Sequence, residues 1–175
     1  MTDPDGTLSL PFANRVSNGS VTDLGLQGYL ALAAPGYVPA YFYWGFPFSA
    51  SQYSAYDRAL FTPAALQNIL AELGVTENGS RGTLIVSPVD CVGGFGSGVE
   101  VAVSTADGQT RAFTTMGVET NITDSAGVIV FLNVPPGTAT VTTTPSAIAR
   151  VSGHTEVIIR AGTETLVLAE PTPLP

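Results

Sequence analysis

Between Thr123 and Thr144 the chain reads TDSAGVIVFLNVPPGTATVTTT, two β-prone stretches divided by Pro-Pro-Gly, and this passage limits the fold more than any other. Val128, Val130, Leu132 and Val134 alternate with Ile129, Phe131 and Asn133, so the first strand offers apolar side chains to both faces of a sheet. Pro135, Pro136 and Gly137 then force a reversal: Pro136 fixes φ at a turn corner and Gly137 accepts the positive φ that often follows. Thr138 to Thr144 is the return strand, its β-branched residues suited to a pleated surface. The expectation is a hairpin within a sandwich of short antiparallel strands.

Composition points the same way. The 175 residues are 45% apolar, enough for one ordinary domain with a core and a smaller companion, and 19 Gly with 13 Pro favour turns over long helices. Only 11% of residues are charged, and the net charge is −8. All six cationic side chains are arginine and none cluster, which argues against nucleic acid or an anionic membrane as partner. The lack of lysine excludes Schiff-base catalysis. The uncharged run from Gly28 to Phe48 is long enough to span a bilayer, but Pro35, Gly36, Pro39, Gly45 and Pro47 break it, so no transmembrane segment is expected. MTDPDGTLSL has neither a basic n-region nor an apolar h-region, and no signal peptide is read there. Cys91 is the only cysteine, which leaves no internal disulfide and reads as a small buried hydrophobe.

The pattern T-D-x-x-G-x-x-x-F-x-N-V-P-P-G-x-x-x-V from Thr123 to Val141 resembles the carboxypeptidase regulatory-like domain, a seven-stranded prealbumin-like sandwich appended to many secreted and surface proteins. The likeness covers about half the chain. RGTLIVSPVDCVGGFGSGVEVAV, Arg81 to Val103, is similar to the family's opening hairpin with a turn at Asp90, and GHTEVIIRAGTETLVLAEP, Gly153 to Pro171, to its last two strands. The resemblance implies a non-catalytic β-module for folding support, spacing or binding. The Lys-Asn isopeptide that stabilises similar repeats in adhesins is excluded by the absence of lysine.

An internal comparison adds a second expectation. Thr2 to Leu10 aligns with Thr123 to Phe131 through Thr, Asp, Gly and two apolar positions, and Gly28 to Leu32 then matches the return strand at Gly137 to Val141. Residues 1–61 thus read as an aromatic-rich β segment, a partial sandwich repeat that packs on the second domain, pairs with another copy or belongs to a longer protein; the alternative is a common turn before a strand. Residues 62–81 hold the one convincing helix and a polar linker. Thr62 is the N-cap, Pro63 the first helical residue, and Ala64, Ala65, Leu66, Ile69, Leu70 and Leu73 form an apolar stripe that ends at Gly74. Residues 82–170 are the sandwich, and 171–175 a Pro-rich tail.

All six tyrosines, Trp44 and five of the eight phenylalanines lie in the first 61 residues. Tyr37, Tyr41, Tyr43, Trp44 and Phe46, within YVPAYFYWGFPF, are the candidate ligand-binding residues, since aromatic rings stack on sugars or bury against peptide; the competing reading is a mini-core or interface, which the amphipathic rings serve equally well. No catalytic set can be assembled. With His154 the sole histidine, a two-His zinc peptidase site fails, as does an intradiol dioxygenase site, and there is no G-x-S-x-G elbow. GGFGSG, Gly93 to Gly98, lacks the Lys-Ser/Thr and the helix of a phosphate loop. Asp3, Asp5, Asp107 and Asp124 sit in Asp-Gly type turns and are too dispersed for calcium, so no metal and no cofactor is expected. Sequons at Asn18, Asn78 and Asn121 are read as chance occurrences, because the Lys-free, Ala-rich composition suits a bacterial protein.

These readings converge on a mainly β protein, an antiparallel prealbumin-like Greek-key sandwich with one short helix in its N-terminal part. The expected role is a non-enzymatic module of the extracellular space or cell envelope that binds protein or polysaccharide or acts as a spacer. A self-assembling subunit using the N-terminal β segment, hence a homo-oligomer, and an accessory domain of a larger secreted enzyme are the alternatives.

Overall fold

A computed structural model of the chain describes residues 16–17, 20–21, 29–44, 60–90, 94–147 and 153–169. It divides into two compact units, one formed by Met1–Gln27 and Phe46–Asp57 and the other by Gly28–Gly45 and Arg58–Pro175. In the smaller unit the described elements are β1 (Val16–Ser17) and β2 (Ser20–Val21), an antiparallel pair.

The larger unit contains β3 (Tyr29–Leu32), β4 (Ala40–Trp44), α1 (Pro63–Glu72), β5 (Gly82–Pro88), β6 (Val99–Val103), β7 (Arg111–Thr114), β8 (Ile129–Val134), β9 (Gly137–Pro145), β10 (Gly153–Ile159) and β11 (Glu164–Ala169). They form a β-sandwich with one short helix. A six-stranded sheet of order β3-β4-β11-β5-β8-β7 faces a three-stranded sheet of order β10-β9-β6. Pairing is antiparallel except at β11, which runs parallel to both β4 and β5. Residues 82–169 alone supply seven strands, four to the larger sheet and three to the smaller.

The Pro-Pro-Gly reversal is not a hairpin. β8 pairs with β5 and β7, whereas β9 pairs with β10 and β6, so the turn carries the chain from one sheet to the other. Prolines cannot donate to a ladder, and Asn133 (φ 56°) and Gly137 (φ 134°) swing the backbone out of the first sheet. The expected opening hairpin at residues 81–103 is likewise a crossing, β5 lying in the larger sheet and β6 in the smaller, with the Val89–Phe95 bridge the one ladder contact between its arms among the described residues.

The apolar residues on both faces of β8 now have their reason. Ile129 and Phe131 point into the sandwich with Leu84, Val86, Val101, Val141, Val157, Ile159 and Val167. Val130 and Leu132 point outward, where Phe113 and α1 residues Leu66 and Leu70 cover them. The helix begins and ends as the sequence indicates. Ala65 N–H donates to Thr62 Oγ1 at 3.2 Å, and Gly74 at φ 63° closes a Schellman motif through Val75 N–H to Leu70 O (2.9 Å) and Gly74 N–H to Ala71 O (3.1 Å). A further apolar layer on the outer face of the larger sheet joins Ala40, Phe42, Leu166 and Leu168.

Asn133 is the hinge of the 76–82 connection. Its Oδ1 accepts from Asn78 N–H and its Nδ2 donates to Thr76 O, both at 3.0 Å. Its carbonyl accepts from Arg81 Nη1 (2.9 Å) and Thr110 Oγ1 (3.2 Å). Arg81 also grips both oxygens of Asp107 at 2.8 Å; these bonds, with a backbone N–H from Gln109, hold the Asp107 carboxyl well below the usual carboxylate range. The stretch read as a linker is therefore tied to β8 and to the turn before β7.

Residues 29–44 occupy a place that the internal comparison does not anticipate. β9, the proposed counterpart of residues 28–32, is the middle strand of the smaller sheet, whereas β3 ends the larger sheet and joins it through β4 and β11. The Thr2–Leu10 half of that comparison lies outside the described residues.

Candidate functional site

The larger sheet has six strands and the smaller three, so the inner face of the larger sheet continues past β10 onto β4 and β3. Strand alternation puts Tyr41 and Tyr43 of β4 on that face and Phe42 on the other. Tyr43 lies opposite Tyr29 of β3 and Tyr41 opposite Ala31. Their burial falls off in steps: Tyr43 is 6% exposed and part of the core, Tyr41 is half-buried, and Tyr29 is 44% exposed beside an exposed Ala31.

The rings pack on one another. Tyr29 meets Tyr41 edge-on at 5.4 Å between centroids and Tyr43 tilted at 5.1 Å. Arg160, the residue after β10, lays its guanidinium 3.9 Å from the Tyr41 centroid and 4.8 Å from that of Tyr29. Each such cation–π contact is worth roughly 0.5–2 kcal/mol according to how far it is desolvated. Arg160 Nη1 also reaches Tyr43 Oη at 3.4 Å, and that contact raises the guanidinium pKa still further, so the charge is permanent.

Tyr43 and Arg160 have a second duty at the rim of the smaller sheet. Ile158 N–H donates to Tyr43 Oη at 3.2 Å, and Ile158 O accepts from Arg160 Nη1 at 3.2 Å. The last outward-facing peptide groups of β10 are thus closed by the ledge itself.

The three candidate residues whose side chains are described do not form one surface. Tyr41 and Tyr43 belong to the ledge just described. Tyr37 is 45% exposed in the β3–β4 connection, at the far end of that hairpin from the Tyr29–Tyr43 pair. Trp44 ends β4, its side chain outside the described residues, and Phe46 lies outside them altogether. A flat sugar platform needs free ring faces; a face of Tyr41 is taken by Arg160 and Tyr43 is buried. Tyr29 and Arg160 are the ledge residues that sequence reasoning missed. Tyr29 carried a signal, as one of the clustered tyrosines; Arg160 carried none, since 117 positions separate it from Tyr43.

Other residues weighed for chemistry have structural engagements. His154 Nδ1 lies 3.4 Å from Thr142 Oγ1 across the β9–β10 pair. Asp90 Oδ1 accepts from Gly94 N–H at 2.7 Å, and Asp124 Oδ1 from Ala126 N–H at 2.9 Å, both turn-closing bonds. Among the described residues no three or more His, Cys, Asp or Glu gather as metal ligands, and no helix is long and apolar enough to cross a membrane. Cys91, and with it any pairing with His154, lies outside the described residues.

No protein-family model matches the chain. No curated protein matches it either.

Proposed function

We propose that this chain is a non-catalytic β-sandwich module of the extracellular space or cell envelope that binds a protein ligand on the Tyr29–Tyr41–Arg160 ledge. The observation that carries this reading is the uncovered inner face of β3, where Tyr29 and Ala31 stay exposed beside a fixed guanidinium. Tyrosine and arginine are the residue types that concentrate binding energy at protein interfaces, because each offers large area with a polar end. The ring packing gives the ledge a set shape before a ligand arrives, which lowers the ordering cost of binding. The resemblance of residues 82–170 to carboxypeptidase regulatory-like domains supports a module without a reactive centre, as do the seven strands this region contributes.

A displayed random-peptide library and a glycan array, each probed with the wild-type chain and with Tyr29→Ser, test the proposal. Peptides retained by the wild type and lost by the variant are the expected result. Retention of glycans alone, or peptide retention indifferent to Tyr29, would refute a protein ligand at this ledge.

A further inference from the structure

The bonding of Ile158 fixes the direction of every peptide group along β10. Ile158 sits opposite Thr138 of β9, yet its N–H and C=O both reach away from β9, to Tyr43 and Arg160. In an antiparallel ladder, residues alternate between bonding the partner and facing away. Glu156, two positions earlier, therefore also directs its N–H and C=O outward, and among the described residues no backbone group meets them. Ile158 remains 42% exposed and Glu156 is exposed, so among the described residues nothing covers the rim at Glu156.

Two other rims are closed. Beside β6, Val101 N–H donates to Asn121 O (2.8 Å) and Thr123 N–H to Val99 O (3.0 Å). Beside β7, Thr114 N–H donates to Val118 O (2.9 Å) and Thr120 N–H to Ala112 O (3.0 Å). Open strand rims are a hazard that folded proteins cover. Here the open rim stands over a floor, since the inner face of β4 and β3 extends beneath the position that a fourth strand of the smaller sheet would take. Neighbouring strands lie about 4.8 Å apart and facing sheets about 10 Å apart, so such a strand would rest on Tyr29, Ala31 and the Arg160 guanidinium that covers Tyr41.

From this geometry we propose that an extended segment of a partner protein adds to β10 at Glu156, becoming the fourth strand of the smaller sheet above the tyrosine floor. The inference rests on the protein-binding reading above and specifies its mode. The side chains of the added strand alternate. Those facing inward meet the Tyr29 ring and Ala31 and are apolar. The one level with Glu156 points outward beside that carboxylate, on a chain of net charge −8, and is basic. Strand addition ends at Ile158, whose outward groups are already taken. A second copy of this chain fits poorly, because antiparallel pairing of two β10 strands about Glu156 sets the two carboxylates side by side, a repulsive arrangement.

The test uses synthetic peptides in which valine alternates with lysine, a scrambled peptide of the same composition, and an alternating valine–glutamate peptide. Hydrogen exchange of the Glu156 amide is followed in the whole chain alongside affinity. The alternating lysine peptide is expected to slow that amide at least tenfold and to bind at least tenfold more tightly than either control. Glu156→Pro deletes the outward donor while sparing the β9 ladder, and is expected to weaken binding at least tenfold; Glu156→Lys, which keeps the backbone, is expected to reverse the preference toward the glutamate peptide. Binding that depends on Tyr29 but leaves the Glu156 amide unprotected would overturn strand addition and preserve the ledge as a binding site. Absence of peptide binding would overturn both, and concentration-dependent protection with dimer formation in sedimentation would replace the partner strand with a second copy.

Discussion

Glu164→Gln should stabilise this protein in mildly alkaline solution and leave it nearly unchanged in mild acid. Glu164 opens β11 with its backbone N–H bonded to Pro39 O at 2.9 Å, and it lies between Ala40 and Thr83 in the outer layer of the sheet. It is 1% exposed, and its Oε1 has no hydrogen-bond partner. Neither ion pair among the described residues, Arg81–Asp107 or Arg111–Glu119, includes it. Burial without compensation disfavours the charged form, and the Glu164 carboxyl is pushed up to about 7 from an ordinary 4.5. Below 4.5 both folded and unfolded chains hold the proton, and nothing is lost. As pH rises from there, the unfolded chain releases its proton while the folded protein keeps it, so stability declines until the folded group also ionises near 7. At about 1.4 kcal/mol per pH unit, that interval amounts to about 3 kcal/mol.

Urea unfolding followed by far-ultraviolet circular dichroism, for wild type and variant at a series of pH values from about 4.5 to about 8, reads the effect directly. The difference between the two proteins matters more than either curve, because a net charge of −8 erodes the stability of both in alkali. Keeping to the region above 4.5 also avoids Asp107 and Glu119, whose depressed carboxyls lose their arginine bonds as pH falls below the ordinary carboxylate range. The expected result is a variant advantage growing toward about 3 kcal/mol by about pH 8. A difference that stays flat across this range would refute the reasoning, as would a variant less stable than wild type at the alkaline end.

Three further outcomes follow from single contacts. Thr165 is fully buried on the inner face of β11, opposite Tyr41 and Leu84, with an unpartnered hydroxyl; Thr165→Val should raise stability by about 1 kcal/mol in the same urea assay. Tyr43→Phe removes the acceptor of the Ile158 N–H, and should cost about 1 kcal/mol and speed exchange of that amide while leaving Val157 protected. Asn133→Ala loses the bonds to Asn78 and Thr76 and strains a backbone at φ 56°, for a combined loss of about 3 kcal/mol; Asn133→Gly loses the same bonds without the strain and should be the milder of the two in thermal unfolding.

Most strands of residues 82–169 were legible from their apolar and β-branched runs, although β7 was not read, and α1 was legible because Thr62, Pro63 and Gly74 mark both ends. Which sheet each strand joins was not legible. Val128 to Thr144 is compatible with a hairpin and with a crossing, since both need a reversal at Pro-Pro-Gly; the choice is made by Asn133, whose left-handed φ and four hydrogen bonds to distant segments turn the chain outward. Asparagine tolerates that conformation better than most residues, but a lone Asn two residues ahead of Pro135 gives no sign of the partners at residues 76, 78, 81 and 110.

The aromatic segment shows the same limit at the candidate site. Strand alternation in β4 separates Tyr41 and Tyr43, on the inner face, from Phe42 on the outer one, a division that clustering of the rings alone did not give. A ligand platform and a mini-core or interface were the competing readings of these rings, yet one ladder holds both a buried and an exposed ring, because burial on the inner face is set by distance from β11. Tyr43, opposite Val167, is buried in the core, while Tyr29, one strand farther out, is 44% exposed. That graded exposure depends on a parallel pairing between strands more than a hundred residues apart, for which no local pattern exists, since parallel neighbours share no turn. Arg160 depends on it too: β4 must lie beside β11 before a guanidinium following Ile159 can reach Tyr41. The ledge is therefore a property of topology, and substitutions that loosen β11 from β4 should expose Tyr43 and free Arg160 together, without touching either residue.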